Sequence, residues 1–139
     1  MVGGVPVDAF LVSIGNNVIM AAGVEFVTHD IFYHMLNYNK KYKHLAKFYP
    51  HFEPITIKDN VCIGGFVKIM PGVTINNNAI VAGGSVVTKD VPEGVVVGGN
   101  PARVICATDE FVQRRVKETL QHFTVYDDVD DITKLFWHG

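Results

Sequence analysis

The sequence of 139 residues lacks several features that mark common classes of protein. It has only two cysteines, Cys62 and Cys106, and no charged-then-apolar leader, which argues against a disulfide framework and a secretory signal. No apolar run approaches the roughly 18 to 20 residues that span a bilayer. The formal net charge is −2, so the chain lacks the excess of positive charge that binds nucleic acid or an anionic membrane surface. We therefore expect a cytoplasmic protein with neither a nucleic-acid nor a membrane partner.

What the sequence does contain is a repeat of six residues between Ile57 and Pro92. Branched aliphatic residues occupy every sixth position: Ile57, Ile63, Ile69, Ile75, Val81 and Val87. A second set of small or branched residues follows four positions after each of these: Val61, Val67, Val73, Ala79, Ser85 and Val91. A helix repeats near 3.6 residues and a flat strand at 2, so neither keeps both phases in register over this length. The pattern predicts a coil of short strands that turns a corner every six residues, with three hexads to each stacked turn.

A first coil precedes this stretch and is separated from it by an insertion. The period begins at Ile14 and continues through Met20 and Phe26, which predicts one coil over residues 14–31. The pattern then stops and resumes about 25 residues late, so we place a loop insertion at about 31–56. The insertion holds seven Phe or Tyr residues and several lysines. A long ordered excursion of this kind either packs on its own coil or lines a site, including one on a neighbouring subunit.

The chain changes character after the repeat. A last strand and a Gly-Gly-Asn-Pro turn lead to a short strand that ends at Ile105. From Asp109, with Thr108 as the N-cap, apolar residues at helical spacing predict a C-terminal helix, followed by an acidic and then aromatic tail. We therefore divide the chain into a repeat domain over 1–107 and a C-terminal helix and tail over 108–139.

A thin coil with open ends and flat faces gains stability when a second copy covers those surfaces. Cyclic three-fold closure suits a three-sided unit. We expect a homo-oligomer.

Two stretches of the sequence resemble the hexapeptide-repeat acyltransferases: SIGNNVIMAAGVEFVTHD and VTINNNAIVAGGSVVTKDVPEGVVVGGNPARVI. The resemblance covers about Ser13 to Ile105 and is strongest to the branch of maltose, galactoside, xenobiotic and polysaccharide O-acetyltransferases. It implies an all-β solenoid, a left-handed parallel β-helix of hexapeptide repeats, here interrupted by the inserted loop and followed by the α-helix. It also implies a homotrimer with active sites between subunits, and transfer of an acetyl group from acetyl-CoA to a hydroxyl of a sugar or glycan.

The resemblance places the general base of this reaction at His29. An alcohol keeps its proton at cell pH, and a neutral imidazole is the side chain suited to remove that proton during attack on a thioester. The second ring nitrogen of His29 should be held by a carboxylate or a carbonyl, and Asp30 and Glu25 are the candidates. Asp30 is also expected to contact the acceptor. The remaining histidines lie off the hexads and are weaker candidates: His34, His44, His51, His122 and His138.

The resemblance also implies a groove for CoA between adjacent coils. The pantetheine arm is expected to pass Gly65 and Gly83, where a larger side chain would obstruct it. Thr88 and Lys89 are expected near the nucleotide half, and Arg103 matches the basic residue that the family uses for phosphate. Corners of the coil require glycines in any case, so a purely structural role for the two glycines stays open.

Three features of the sequence depart from the family pattern. Cys62 stands where relatives have a tryptophan beside the CoA arm, and Cys106 replaces a second basic residue. Relatives also carry further coils or a helical cap before the first coil, where this sequence has thirteen residues. The alternatives to O-acetylation are N-acetylation of an amino sugar or xenobiotic acceptor and, in another class, a catalytically silent β-helix scaffold.

A metal site is not expected. The γ-type carbonic anhydrases share the coil and bind zinc through three histidines, but this sequence has no histidine between Ile57 and Val104. Neither cysteine belongs to a CxxC pair.

Overall fold

The computed structural model describes residues 8–121, 133–134 and 136–137. The chain divides into two units, Met1–Thr108 and Asp109–Gly139. Strands and helices follow in this order: a 3₁₀ turn Ala9–Leu11, β1 Val12–Ile14, β2 Val18–Met20, β3 Glu25–Phe26, α1 Phe32–Tyr38, β4 Ile55–Ile57, β5 Val61–Ile63, β6 Lys68–Ile69, β7 Thr74–Ile75, β8 Ile80–Val81, β9 Val86–Val87, β10 Val95–Gly99, β11 Ala102–Ala107 and α2 Thr108–Gln121. No helix of the described part is long and apolar enough to cross a membrane.

The strands form three sheets that the chain visits in turn. The strand orders are β1-β4-β7, then β11-β10-β8-β5-β2, and β3-β6-β9. Pairing between strands of successive turns is parallel, and the hairpin of β10 and β11 is antiparallel. Consecutive strands therefore lie on three different sides, and each turn of the coil stacks on the one before it.

The pairing register measures the insertion. Strands of the second and third turns pair at a separation of 18 residues, as Thr56 does with Thr74. Strands of the first and second turns pair at a separation of 43 residues, as Val12 does with Ile55. The difference of 43 and 18 is 25 residues, which agrees with the length predicted from the interrupted period.

The core consists of the two predicted phases of the repeat. All twelve of those residues, from Ile57 to Val91, expose at most 2% of their surface. The polar member, Ser85, donates its hydroxyl to Ala82 O at 2.6 Å and accepts Gly99 N–H at 3.1 Å, so its burial leaves no hydrogen bond unmade. The first coil is more open, and Ile14 is 43% exposed because the described chain covers it on one side only.

Asparagines occupy one row of corners. Asn17, Asn60 and Asn78 have φ angles of 53°, 55° and 60°, a region that asparagine tolerates better than most residues. Asn17 Nδ2 donates to Asn60 Oδ1 at 2.9 Å, so the row is also bonded from turn to turn. Two of these corners fall in runs of asparagine in the sequence, at 16–17 and at 76–78.

The insertion and the C-terminal helix show what periodicity could not predict. The insertion contains α1, which the repeat gives no reason to expect. Helix α2 begins at Thr108, one residue before the predicted start. The Thr108 hydroxyl donates to Asn78 O at 2.8 Å, and Thr108 is itself the first residue of the helix. Most of the predicted tail, 126–139, lies outside the described residues.

Candidate active site

His29 lies just after β3, at the point where the chain leaves the first coil for the insertion. The end of the insertion returns to it, and we call residues 50–53 the return segment. Phe52 forms an isolated antiparallel bridge with His29. On either side of this bridge, Asp30 N donates to His51 O at 3.3 Å and Glu53 N donates to Thr28 O at 3.0 Å. The backbone on both sides of His29 is thus hydrogen-bonded to the return segment, which lies more than twenty residues later in the sequence.

A buried carboxylate orients the imidazole. His29 Nδ1 lies 2.6 Å from Asp8 Oδ2, and Thr28 Oγ1 donates to the same oxygen at 2.9 Å. Asp8 is 8% exposed and Thr28 is 3% exposed, so water does not compete freely for these bonds. An ionised carboxylate accepts hydrogen bonds only, so Nδ1 carries the ring proton of a neutral His29 and Nε2 carries the lone pair. That arrangement leaves Nε2 able to take a proton from a hydroxyl.

The predicted partners of the imidazole were wrong. Asp30 Oδ1 accepts Phe32 N–H at 3.3 Å at the start of α1. Glu25 instead pairs with Lys68, with Oε2 and Nζ 3.2 Å apart. Each carboxylate therefore has a partner other than His29, and the sequence alone did not identify either partner.

Asp8, which was missed, left a signal in the period. It stands six residues before Ile14, where the hexad would place an apolar residue facing inward. A carboxylate at such a position needs a hydrogen-bonding partner.

A second residue that the sequence analysis missed is Phe52. Its ring centroid lies 5.2 Å from that of His29, with the two planes 38° apart. The ring of Phe52 therefore lies against one side of the imidazole. Because Phe52 is 48% exposed, it also presents apolar surface beside His29. No periodic signal could have found it, because it belongs to the insertion.

The structure brings two of the predicted CoA-binding residues together. Lys89 and Arg103 line one cleft of about 320 Å³ with the walls formed by Val87, Val97 and Ala102 among others. The cleft also contains one carboxylate, that of Asp90, whose Oδ1 accepts Thr74 N–H at 2.8 Å. The two cations therefore exceed the anions of the cleft by one. Thr88, which is exposed and next to Lys89 in sequence, does not line this cleft.

The two predicted glycines stack on each other at another place on the coil. A Cβ on Gly83 would lie 3.3 Å from Gly65 O, and a Cβ on Gly65 would lie 3.4 Å from Ala22 O. By contrast, a Cβ on Gly64 would lie 2.5 Å from Gly83 N, closer than atoms can approach. The packing of this chain therefore demands glycine at 64 and tolerates a methyl group at 65.

No group of three His, Cys, Asp or Glu side chains in the described ranges is placed to hold a metal ion.

Residues 54–89 match the family described as Bacterial transferase hexapeptide (six repeats). The galactoside O-acetyltransferase of Escherichia coli (strain K12) is 45% identical over 100 residues, which are 71% of this chain and 45% of that protein. A 2,3,4,5-tetrahydropyridine-2,6-dicarboxylate N-acetyltransferase of Staphylococcus aureus (strain Newman) is 48% identical over 69 residues, which are 50% of this chain and 28% of the relative.

Among solved structures, a galactoside acetyltransferase in complex with coenzyme A superimposes with a TM-score of 0.58 and 32% sequence identity. The match covers 86% of this chain and 52% of that one. The chain thus spans about half the length of these two galactoside acetyltransferases. The repeat, its core and these similarities agree, and the chain belongs to the hexapeptide-repeat acyltransferase family.

Proposed function

We propose that this protein is an acetyl-CoA-dependent O-acetyltransferase that acts on a hydroxyl of a sugar or glycan, with His29 as the general base. The observation that carries the proposal is the hydrogen bond of 2.6 Å between His29 Nδ1 and Asp8 Oδ2. Because Nδ1 is bonded to Asp8, Nε2 is the nitrogen left to accept a proton from the substrate. The chain also belongs to a family of acyltransferases.

The chemistry needs one proton carrier and no covalent intermediate on the protein. His29 Nε2 takes the proton from the acceptor hydroxyl as its oxygen attacks the thioester carbonyl. The new carbon–oxygen bond forms, the carbon–sulfur bond breaks, and the proton passes from His29 to the leaving sulfur. Asp8 stabilises the imidazolium that exists between these two proton transfers, and it holds the ring in one orientation.

The cofactor assignment follows from the cleft and from the glycines. Lys89 and Arg103 are proposed to bind the phosphates of CoA, with Thr88 near its nucleotide half. Gly65 and Gly83 are proposed to leave room for the pantetheine arm. Support comes from the cations that share one cleft and from the related galactoside acetyltransferase, whose structure contains coenzyme A.

The finer features of the fold and assembly are also proposals. We infer that the coil is left-handed and that three copies form a homotrimer with active sites between subunits. Ile19 is 65% exposed, and it pairs in register with Cys62, which is also exposed. We call these two residues the outer row of the longest sheet, and such exposed apolar surface supports contact between copies of the chain. Asp30, next to the base, is proposed to contact the acceptor. A cytoplasmic location is part of the same proposal.

N-acetylation is the second candidate, because one of the relatives is an N-acetyltransferase. The same base can take a proton from an ammonium or from an amine during its attack on the thioester. The bond formed in the product distinguishes the two reactions, since an ester is cleaved by hydroxylamine and an amide resists it.

The test is release of free CoA thiol from acetyl-CoA in the presence of neutral sugars, oligosaccharides and amino sugars. We expect release that depends on a hydroxyl acceptor, with a hydroxylamine-sensitive product. An amide product would favour N-acetylation. Absence of turnover with every acceptor, together with no binding of CoA at millimolar concentration, would contradict the proposal and favour a scaffold.

A further inference from the structure

The insertion concentrates positive charge that the proposed chemistry does not use. Residues 31–50 contain four lysines and no Asp or Glu. Removing these four from the 12 basic residues leaves 8 against 14 acidic residues in the remaining 119. A segment of charge +4 therefore interrupts a chain whose remainder carries −6, and a difference of this size attracts anions to the segment.

The lysines lie on one surface turn, residues 39–47, which we call the lysine turn. All four side chains, those of Lys40, Lys41, Lys43 and Lys47, are exposed. Within the described residues, no carboxylate forms an ion pair with any of them. Lys41 and Lys47 lie over tyrosine rings, with Nζ 5.4 Å and 5.6 Å from the ring centroids. The charge is thus displayed to the solvent, and no described carboxylate neutralises it.

Hydrogen bonds fix the backbone of the lysine turn. Asn37 closes its base, because Asn37 Nδ2 donates to Phe48 O and Phe48 N donates to Asn37 Oδ1, both at 2.9 Å. Within the turn, Lys41 N donates to Asn39 Oδ1 at 2.8 Å and Lys43 N donates to Asn39 O at 2.9 Å. A backbone that is already ordered loses less entropy when it binds a ligand.

The lysine turn lies within the insertion, whose two ends meet beside the candidate base. The insertion leaves the coil after Asp30 and returns at His51, and these two residues are hydrogen-bonded at 3.3 Å beside His29. Lys89 and Arg103, the cations proposed to bind CoA, line a cleft that contains no residue of the insertion. The lysine turn is therefore available to the other substrate.

We propose that the lysine turn binds the anionic groups of an acidic glycan and thereby selects a saccharide with carboxylate or phosphate groups as the acceptor. The inference rests on the proposed function, since it names the class of acceptor. A lysine ammonium is a point charge without the planar geometry that arginine imposes, which suits repeated and variably spaced anions. Tyr38 and Tyr49, 85% and 67% exposed, add ring faces against which sugar rings can pack.

Binding measured without acetyl-CoA tests this inference separately from catalysis. The full chain is titrated calorimetrically with an oligogalacturonate, with a neutral oligosaccharide of equal length, and with a sugar phosphate. We expect tighter binding of a charged ligand than of the neutral one, and weaker binding as salt reduces the Debye length from about 10 Å at 0.1 M to about 3 Å at 1 M. The charged ligand that binds more tightly identifies the anionic group.

A matched pair of double variants locates the binding surface. Lys40→Gln with Lys43→Gln removes two exposed charges that belong to no ion pair or cation–π contact among the described residues. We expect the affinity for the charged ligand to fall about 3- to 30-fold. Lys58→Gln with Lys117→Gln removes two exposed charges outside the insertion and should leave that affinity unchanged.

Equal affinity for neutral and charged ligands, or equal behaviour of the two double variants, would overturn the inference. So would an increase in the KM for acetyl-CoA in the first variant, because the lysines would then serve the cofactor. A chain that binds the acidic glycan but turns over no acceptor would contradict the proposed function alone.

Discussion

At the scale of single residues, the site depends on one carboxylate within an otherwise apolar pattern. Asp8 is buried, and its Oδ2 receives hydrogen bonds from both the imidazole and Thr28. A buried carboxylate is stable only with such partners. Its position therefore makes Asp8 a positioning residue for His29.

Asp8→Asn keeps the size of the side chain and removes its charge. We expect kcat to fall about 10- to 1,000-fold, because the imidazolium loses its counter-charge and the ring proton is no longer held on Nδ1. The KM for acetyl-CoA should not change, which steady-state kinetics will show. Glu25→Gln is the control, since Glu25 pairs with Lys68, and it should retain the parent kcat. Equal loss in both variants would refute the role of Asp8.

Neighbouring glycines separate a packing role from a binding role. Gly65→Ala adds a methyl group at an ordinary contact distance, so we expect little change in thermal stability and a several-fold higher KM for acetyl-CoA. Gly64→Ala places a methyl group 2.5 Å from Gly83 N and should destabilise the fold by about 1 to 3 kcal/mol. Thermal unfolding and kinetics on both variants decide the matter. An unchanged KM in a stable Gly65→Ala protein would count against the proposed path of the CoA arm.

The sequence predicted these residues unequally. His29 was assigned by resemblance, and Lys89 and Arg103 were expected to serve one ligand before the structure placed them in one cleft. Asp8 was missed because no hexad was assigned before Ile14. The partner of an imidazole depends on contacts across 21 residues of sequence, which local pattern does not encode.

At the scale of elements, the repeat predicts the coil because both of its phases face inward. Ile69→Ala removes a fully buried side chain from the middle of the stack and should lower the free energy of unfolding by about 2 to 5 kcal/mol. Ile14→Ala, at a hexad position that is 43% exposed, should cost less than about 1 kcal/mol. Denaturant titration measures both. Similar losses would mean that the open first coil is as well packed as the centre.

The insertion marks where prediction from the sequence ends. Its length followed from the interrupted period, and the register confirms it. Helix α1 and the return segment did not follow, because they lack a repeat. Their conformation depends on bonds such as those between Asn37 and Phe48 and between Glu53 and Thr28, which join residues distant in sequence.

At the scale of the whole molecule, the proposed trimer has a direct test. Light scattering coupled to size-exclusion chromatography should give three times the 15.4 kDa of one chain. Ile19→Glu places a charge on the exposed outer row of the longest sheet and should shift the mass towards one chain. A parent protein that elutes with the mass of one chain and still turns over acetyl-CoA would contradict active sites between subunits.

The central claim is that His29 removes the proton from the acceptor. The most direct measurement is the kcat for acetyl transfer by His29→Ala, with His34→Ala as the matched histidine control and with CoA binding measured in parallel. We predict a loss of about 100- to 10,000-fold in His29→Ala alone, with CoA affinity unchanged, because general-base catalysis contributes that range. Equal turnover in His29→Ala and the parent protein would contradict the mechanism.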